Sequence, residues 1–165
     1  MGKSGWVLGL MGAIALACAV SAPASAAGGA KAEIIAFEHK CIQAQTTDES
    51  MACVDKNDVT FYDFMPPLKY SGAAAVRKDL AAFFDNATDI KAKFLELDVV
   101  TDGRLGVANS IQHFAWKDKS GKEMSGNFRV TDCLHKVDGK WKIFHSHISV
   151  PVDPATGKAV MDAKM

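Results

Sequence analysis

The sequence predicts an α+β fold, with N-terminal helices packed on one face of a curved, mostly antiparallel sheet, and three observations carry that reading. Helical spacing of apolar residues is confined to the first half of the chain. The second half holds four strand-like runs of mixed apolar and polar residues. Between these runs stand Asp102-Gly103, Asp118-Lys119-Ser120-Gly121 and Asp138-Gly139, all turn formers, so successive strands are expected to be neighbours in a meander. Helices first and sheet later is the α+β order.

The chain opens with Lys3 and an uncharged apolar run from Val7 to Val20, followed by Ala24-Ser25-Ala26, a small-x-small cleavage pattern. Residues 1–26 therefore read as a signal peptide, and the protein as exported, periplasmic or secreted. The apolar run is too short to span a bilayer comfortably, so no stable membrane insertion is expected. A lipoprotein reading of Leu16-Ala17-Cys18 is the weaker alternative, because Ala15 stands where such sites usually carry Leu. The chain has 19 Lys plus Arg against 19 Asp plus Glu, so losing Lys3 leaves one acidic charge in excess. That balance supplies no basic field for nucleic acid. Beyond the leader the chain keeps about 140 residues, enough for one domain with its own core.

Export permits disulfides, and the leader would carry away Cys18 of the four cysteines. Three cannot all pair within one chain. If a pair bonds it is Cys41 with Cys53, on consecutive helices that can fold back on each other; buried free thiols are the alternative. None has an evident activating charge beside it in sequence, which argues against a nucleophile.

The first helix is expected over residues 32–45, where Ile34, Phe37, Cys41 and Ile42 make an apolar stripe. Thr46 and Glu49 form a capping box for a short second helix reaching Val54. Residues 58–63 read as a strand, Met65-Pro66-Pro67 as a turn, and residues 68–70 as its return. Ala73 to Asp85 carries Val76, Leu80, Phe83 and Phe84 at helical spacing. Strands are expected over residues 93–101, 105–117, 123–137 and 140–150, with a tail over residues 152–165.

Asp138-Gly139 marks the last two strands as a hairpin, the strongest local signal in the chain. Alternation puts Phe128, Val130, Asp132 and Leu134 on one face, so a carboxylate stands among apolar residues. A charged, unpaired carboxylate there costs several kcal/mol (of order, from transfer data), so Asp132 must be paired, hydrated or protonated; Arg77 and Arg129 are the candidate partners if the role is structural. Regular pairing across the two-residue turn sets Leu134 opposite Ile143 and Asp132 opposite His145, so Asp132, His145 and His147 are expected to face one cavity. A metal on His145 and His147 would need further ligands from Asp63, Asp132, His39 or His113, which lack any diagnostic spacing, so no metal or other cofactor is expected. Asp63, closing the first strand, is either a functional acid or a cap on the Phe64-Met65 turn. His135 shares a face with Cys133 and reads as surface.

Two stretches, DVTFYDFMPPLKYSGAAAVRKDL from Asp58 and FRVTDCLHKVDGKWKIFHSHISVP from Phe128, together with this order of elements, resemble the SnoaL-like and ketosteroid-isomerase-like branch of the nuclear transport factor 2-like superfamily over about residues 32–151. The resemblance implies a cone-shaped half-barrel over residues 27–151, a hollow for a small apolar molecule, and a homodimer. It implies for Asp63 the role of proton-shuttling base and for Asp132 that of an acid kept protonated as hydrogen-bond donor. The first-helix tyrosine of that pattern has no counterpart, since Tyr62 and Tyr70 lie elsewhere; His39 or Glu38 is the nearest polar residue. The ligand-binding set is then His39, His145, His147, Phe128 and Val130. Two function classes stand: acid-base chemistry of isomerase or lyase type on an apolar carbonyl compound, and a non-catalytic ligand-binding or homo-oligomeric association module.

Overall fold

The computed structural model describes residues 24–165, so the expected leader lies outside the described residues except for its last three. Helices α1 (Ala24–Cys41), α2 (Thr47–Cys53) and α3 (Ala73–Phe84) pack on a six-stranded sheet of β1 (Thr60–Tyr62), β2 (Tyr70–Ser71), β3 (Ala87–Thr101), β4 (Leu105–Asp118), β5 (Glu123–Val137) and β6 (Lys140–Ser149). The strand order is β2-β1-β6-β5-β4-β3, and every pair is antiparallel except β1 with β6. The sheet does not close, and the helices cover one face of it, the architecture of a half-barrel cone. None of the helices among the described residues is long and apolar enough to cross a membrane.

Helix α1 starts eight residues ahead of its expected first residue and ends earlier, at Cys41, where Ile42 and Gln43 turn the chain out with bonds to Glu38 and Lys40 carbonyls. Its Ile34 is fully buried, and the approach to β4 is close: a Cβ built on Gly106 would lie 2.4 Å from Ile34 Cδ1. A side chain at 106 would therefore force the terminal methyl of Ile34 to shift, since α1 fills that space. On the hairpin side, Trp141 Nε1 donates to Glu33 Oε2 at 2.9 Å and Lys136 pairs with the same carboxylate at 2.8 Å.

The capping box at α2 forms with one displacement. Thr46 accepts from the Glu49 amide at 3.2 Å, while Glu49 reaches back to the Gln45 amide at 2.7 Å rather than to Thr46. Cys41 and Cys53 are disulfide-bonded and Cys133 is free. The bridge joins the ends of α1 and α2, closing a short loop. Asp138 and Gly139 both have positive φ, the conformation a two-residue hairpin turn demands. Residues 152–165, expected as a tail, dock: Val152 bridges Ala159, Met161 O accepts from the Asn127 amide at 2.7 Å, and Ala163 O accepts from Asn127 Nδ2 at 3.0 Å.

Candidate functional site

The helix-covered face of the sheet carries a row of buried polar side chains in an otherwise apolar surface. On β4 the inward residues are Ala108, Ser110, Gln112 and Phe114; on β5 they are Phe128, Val130, Asp132 and Leu134. Ser110, Gln112 and Asp132 are all buried, as is Ser146 on β6. Gln112 Nε2 donates to Ser110 Oγ at 3.0 Å, and the serine hydroxyl donates to Val130 O at 3.4 Å. Ser146 stands directly opposite Asp132 and its hydroxyl hydrogen-bonds the carboxylate. Neither arginine reaches Asp132: Arg77 pairs with Asp48 on the surface, and Arg129 donates to Val150 O.

Its neighbour is another acid. Glu38, on α1, is 3% exposed, and its Oε1 has no hydrogen-bond partner. Burial and the Asp132 charge beside it push Glu38 up to about 9. Burial likewise pushes Asp132 up to about 6, with the Ser146 hydroxyl pulling the other way. Two carboxyls this close in a dry site cannot both ionise readily, so the pair holds a proton at neutral pH, and Glu38 is its stronger holder. Glu38 Oε1 is thus a buried, protonatable oxygen whose hydrogen-bonding capacity no protein group takes up.

Asp63 follows β1, where alternation sets it on the side of buried Phe61. One of its oxygens accepts from the Met65 amide at 3.3 Å, the turn-capping bond. Asp79, on α3, stands beside it, and the Tyr70 hydroxyl donates to Pro66 O at 2.9 Å. Burial raises Asp63, and burial followed by the Asp63 charge raises Asp79 to about 6. Toward this end of the sheet Phe64 packs on Phe128 at 5.1 Å between ring centres, Phe128 on Phe114 at 6.0 Å, and Phe114 on Phe83 at 6.5 Å. Phe128 and Val130 thus lie with Asp132 on the inner face, as expected.

His145 and His147 do not. Pairing is regular from Val137 with Lys140 to Leu134 with Ile143, and then slips: Cys133 pairs with His145 and Asp132 with Ser146. Phe144 is the extra residue of a β-bulge, and each residue beyond it changes face relative to the unbroken register. The expected cavity shared by Asp132, His145 and His147 is therefore corrected: the histidines lie on the outer face. There His145 Nδ1 and Thr60 Oγ1 are hydrogen-bonded at 2.8 Å, and the Tyr62 ring packs edge-on against both imidazoles at 4.7 and 5.9 Å. The physical reason lies across the strand, where Val54 bridges Ile143, the Asp55 amide bonds Ile143 O, and His135 packs on the Phe144 ring at 4.9 Å. His135 itself, expected as surface, is half-buried, with Nε2 2.7 Å from Asp55 Oδ2. His39 is exposed on α1 beside Phe94, at 5.1 Å.

Sequence reasoning named Glu38 only as a substitute and missed Asp79, Ser146, Ser110 and Gln112. The signal for both acids was present: Glu38 falls midway between Ile34 and Ile42, and Asp79 lies between Val76 and Phe83, each on an apolar helical stripe. Among the described residues no group of three or more His, Cys, Asp or Glu is arranged to hold a metal ion.

The sequence model of one family, the SnoaL-like domain, matches residues 32–153. Comparison with curated proteins finds no match. Among solved structures, an NTF2-like protein of unknown function from Pseudomonas putida KT2440 is similar with a TM-score of 0.74 at 24% identity, over 84% of this chain and 98% of that one. A ketosteroid isomerase-like protein from Erwinia carotovora atroseptica SCRI1043 is similar with a TM-score of 0.62 at 16% identity, over 72% and 94% of the two chains. An NTF2-like superfamily protein from Salmonella enterica serovar Typhimurium LT2 gives 0.64 at 14% identity, over 84% and 100%. At these identities the likeness is one of fold.

Proposed function

The chain belongs to the SnoaL-like domain family, and from that premise we propose that it is an exported small-molecule-binding domain that performs acid-base chemistry on a mostly apolar carbonyl compound. The observation that carries the reading is the buried Glu38 and Asp132 pair on the inner face, with one Glu38 oxygen unpartnered. A carbonyl oxygen brought to this pair would meet a protonated carboxyl able to donate as negative charge develops on it. Asp63, at the strand end, is the base that takes the proton from the carbon beside the carbonyl. Phe128, Val130 and Phe114 supply the apolar wall, and Ser110 and Gln112 further polar contacts.

Glu38 replaces the expected first-helix hydroxyl, and Asp132 shares rather than holds the donor proton. The Cys41–Cys53 bridge supports export, since such bonds persist in oxidising compartments. A second reading, a binding or association module without turnover, is favoured by one observation: α1 carries no tyrosine. Assay of enone isomerisation and carbonyl-activated dehydration with wild type, Asp63→Asn and Glu38→Gln separates the two. Turnover lost by a hundredfold or more in both variants is expected. Turnover unchanged in Asp63→Asn removes that residue as base, and binding without turnover in wild type selects the module.

A further inference from the structure

A groove of about 780 Å³ lies between α1, the connection from α1 to α2 and the turn end of the β5–β6 hairpin, and neither Glu38 nor Asp132 lines it. Glu33, Phe37 and Lys40 reach it from one stripe of α1, at helical spacing. Lys140 and Lys142, two apart on β6, reach it from the hairpin. Phe37, Ala52 and Trp141 give it an apolar wall, and Cys53 lines it too, so the Cys41–Cys53 bridge ties its two helical sides together.

The carboxylates of this groove are already engaged. Glu33 takes the Trp141 indole at 2.9 Å and Lys136 at 2.8 Å, and Glu49 accepts from the Gln45 amide at 2.7 Å. Its lysines are not so placed. Among the described residues, neither Lys40 nor Lys140 has a carboxylate within ion-pairing distance, and Lys142 Nζ donates to a neutral group, Ala52 O. Burial, followed by the charges of Lys140, Lys56 and Lys40, holds the Lys142 ammonium below the usual lysine range. An anion entering here would relieve that repulsion, and an apolar body attached to it would cover the wall.

We propose that this groove binds a small amphipathic anion, a carboxylate on an apolar body, with its head at Lys40, Lys140 and Lys142 and its body along Phe37, Ala52 and Trp141. The volume is that of a site for a small organic molecule. A bare inorganic anion would use the lysines alone and leave the apolar wall wet. The site is independent of the chemistry on the inner face, because the two share no residue.

The experiment is a titration of octanoate into the protein followed by amide NMR, with octanol and inorganic phosphate as comparators. Saturable shifts are expected at residues 37–45, 52–53 and 139–142, with octanol and phosphate binding far more weakly. The double variant Lys40→Gln, Lys140→Gln changes two exposed positions, so its spectrum elsewhere should match the wild type. Its octanoate binding should be weaker by roughly tenfold or more. Added sodium chloride should weaken wild-type binding as well, since salt screens exposed charges. Octanol binding as tightly as octanoate would overturn the charge recognition, and phosphate binding as tightly would overturn the apolar body. Shifts centred on Phe128, Val130 and Asp132, no saturable shift at all, or undiminished binding in the double variant would overturn the site itself.

Discussion

At the scale of single residues, the strongest physical demand in the molecule is the burial of Glu38. The unfolded chain releases this proton near the ordinary 4.5, whereas the folded chain holds it to about 9. Between those values the folded state binds more protons than the unfolded state, so stability is fullest below pH 4.5 and is lost as pH rises toward 9. Asp132 adds a smaller loss in the same direction between its ordinary 3.8 and about 6. Urea unfolding at pH 5 and pH 9 should therefore differ by a few kcal/mol (order of magnitude, from the linkage of pKa to stability), in favour of the acid side. Glu38→Gln should flatten the profile and be the more stable protein at pH 9, since an amide fills the same space without a charge to bury. A profile just as steep in Glu38→Gln would show that this carboxyl is not the source. A site that destabilises the fold at neutral pH is what binding or catalysis would require, since an optimised core would hold an apolar residue there.

At the scale of elements, two contacts decide where the site residues stand. The first is α1 on β4, where the terminal methyl of Ile34 occupies the space a Gly106 side chain would need. Gly106→Ala should cost about 1–3 kcal/mol by overpacking, measured by chemical denaturation. Ile34→Val removes the offending methyl, so the double variant should be less destabilised than the sum of the singles; strict additivity would show that the two do not press on each other. The second is the bulge at Phe144. Deleting Phe144 would remove the bulge and leave the remaining register as it is, with Cys133 opposite His145 and Asp132 opposite Ser146, so both histidines should stay on the outer face. The deletion should therefore cost little more than Phe144→Ala in chemical denaturation, and a far larger loss would show that residues 54 and 55 need the bulge itself to dock on β6. Here lies the boundary of what the sequence discloses. Element order, the hairpin turn, the α2 cap and the inward face of β5 are legible in local periodicity and turn chemistry. The bulge is not, because it is set by residues 54 and 55 docking on β6 some ninety positions away in sequence. Asp79 meets Asp63 for a similar reason, through tertiary packing of α3 on a strand end, although its place on an apolar stripe is visible beforehand.

At the scale of the whole molecule, the face of the sheet turned away from the helices has a pattern of its own. Val100 is 64% exposed, and its strand partner Val107 stands beside Cys133, which stands beside His145, which stands beside Thr60. Leu105 is exposed as well, and Tyr62 lies over the two histidines. An apolar and aromatic band crossing five strands is more than scattered surface hydrophobics, and such bands on soluble proteins mark contacts. The homodimer expected from the sequence would lay a second copy of the chain on this face, and would also bury the outer histidines. A self-complementary interface places each residue near the twofold axis against its own counterpart, so one charge introduced there acts twice. Native mass spectrometry and light scattering should accordingly find a dimer for the wild type and a monomer for Val107→Glu, with an unchanged far-ultraviolet circular dichroism spectrum in both. A Val107→Glu dimer would move the interface to another surface, and a monomeric wild type would leave the band to a different partner. Because the inner carboxyls lie on the opposite side of the sheet, Glu38→Gln should leave the dimer intact, so assembly and the proposed chemistry can be broken one at a time.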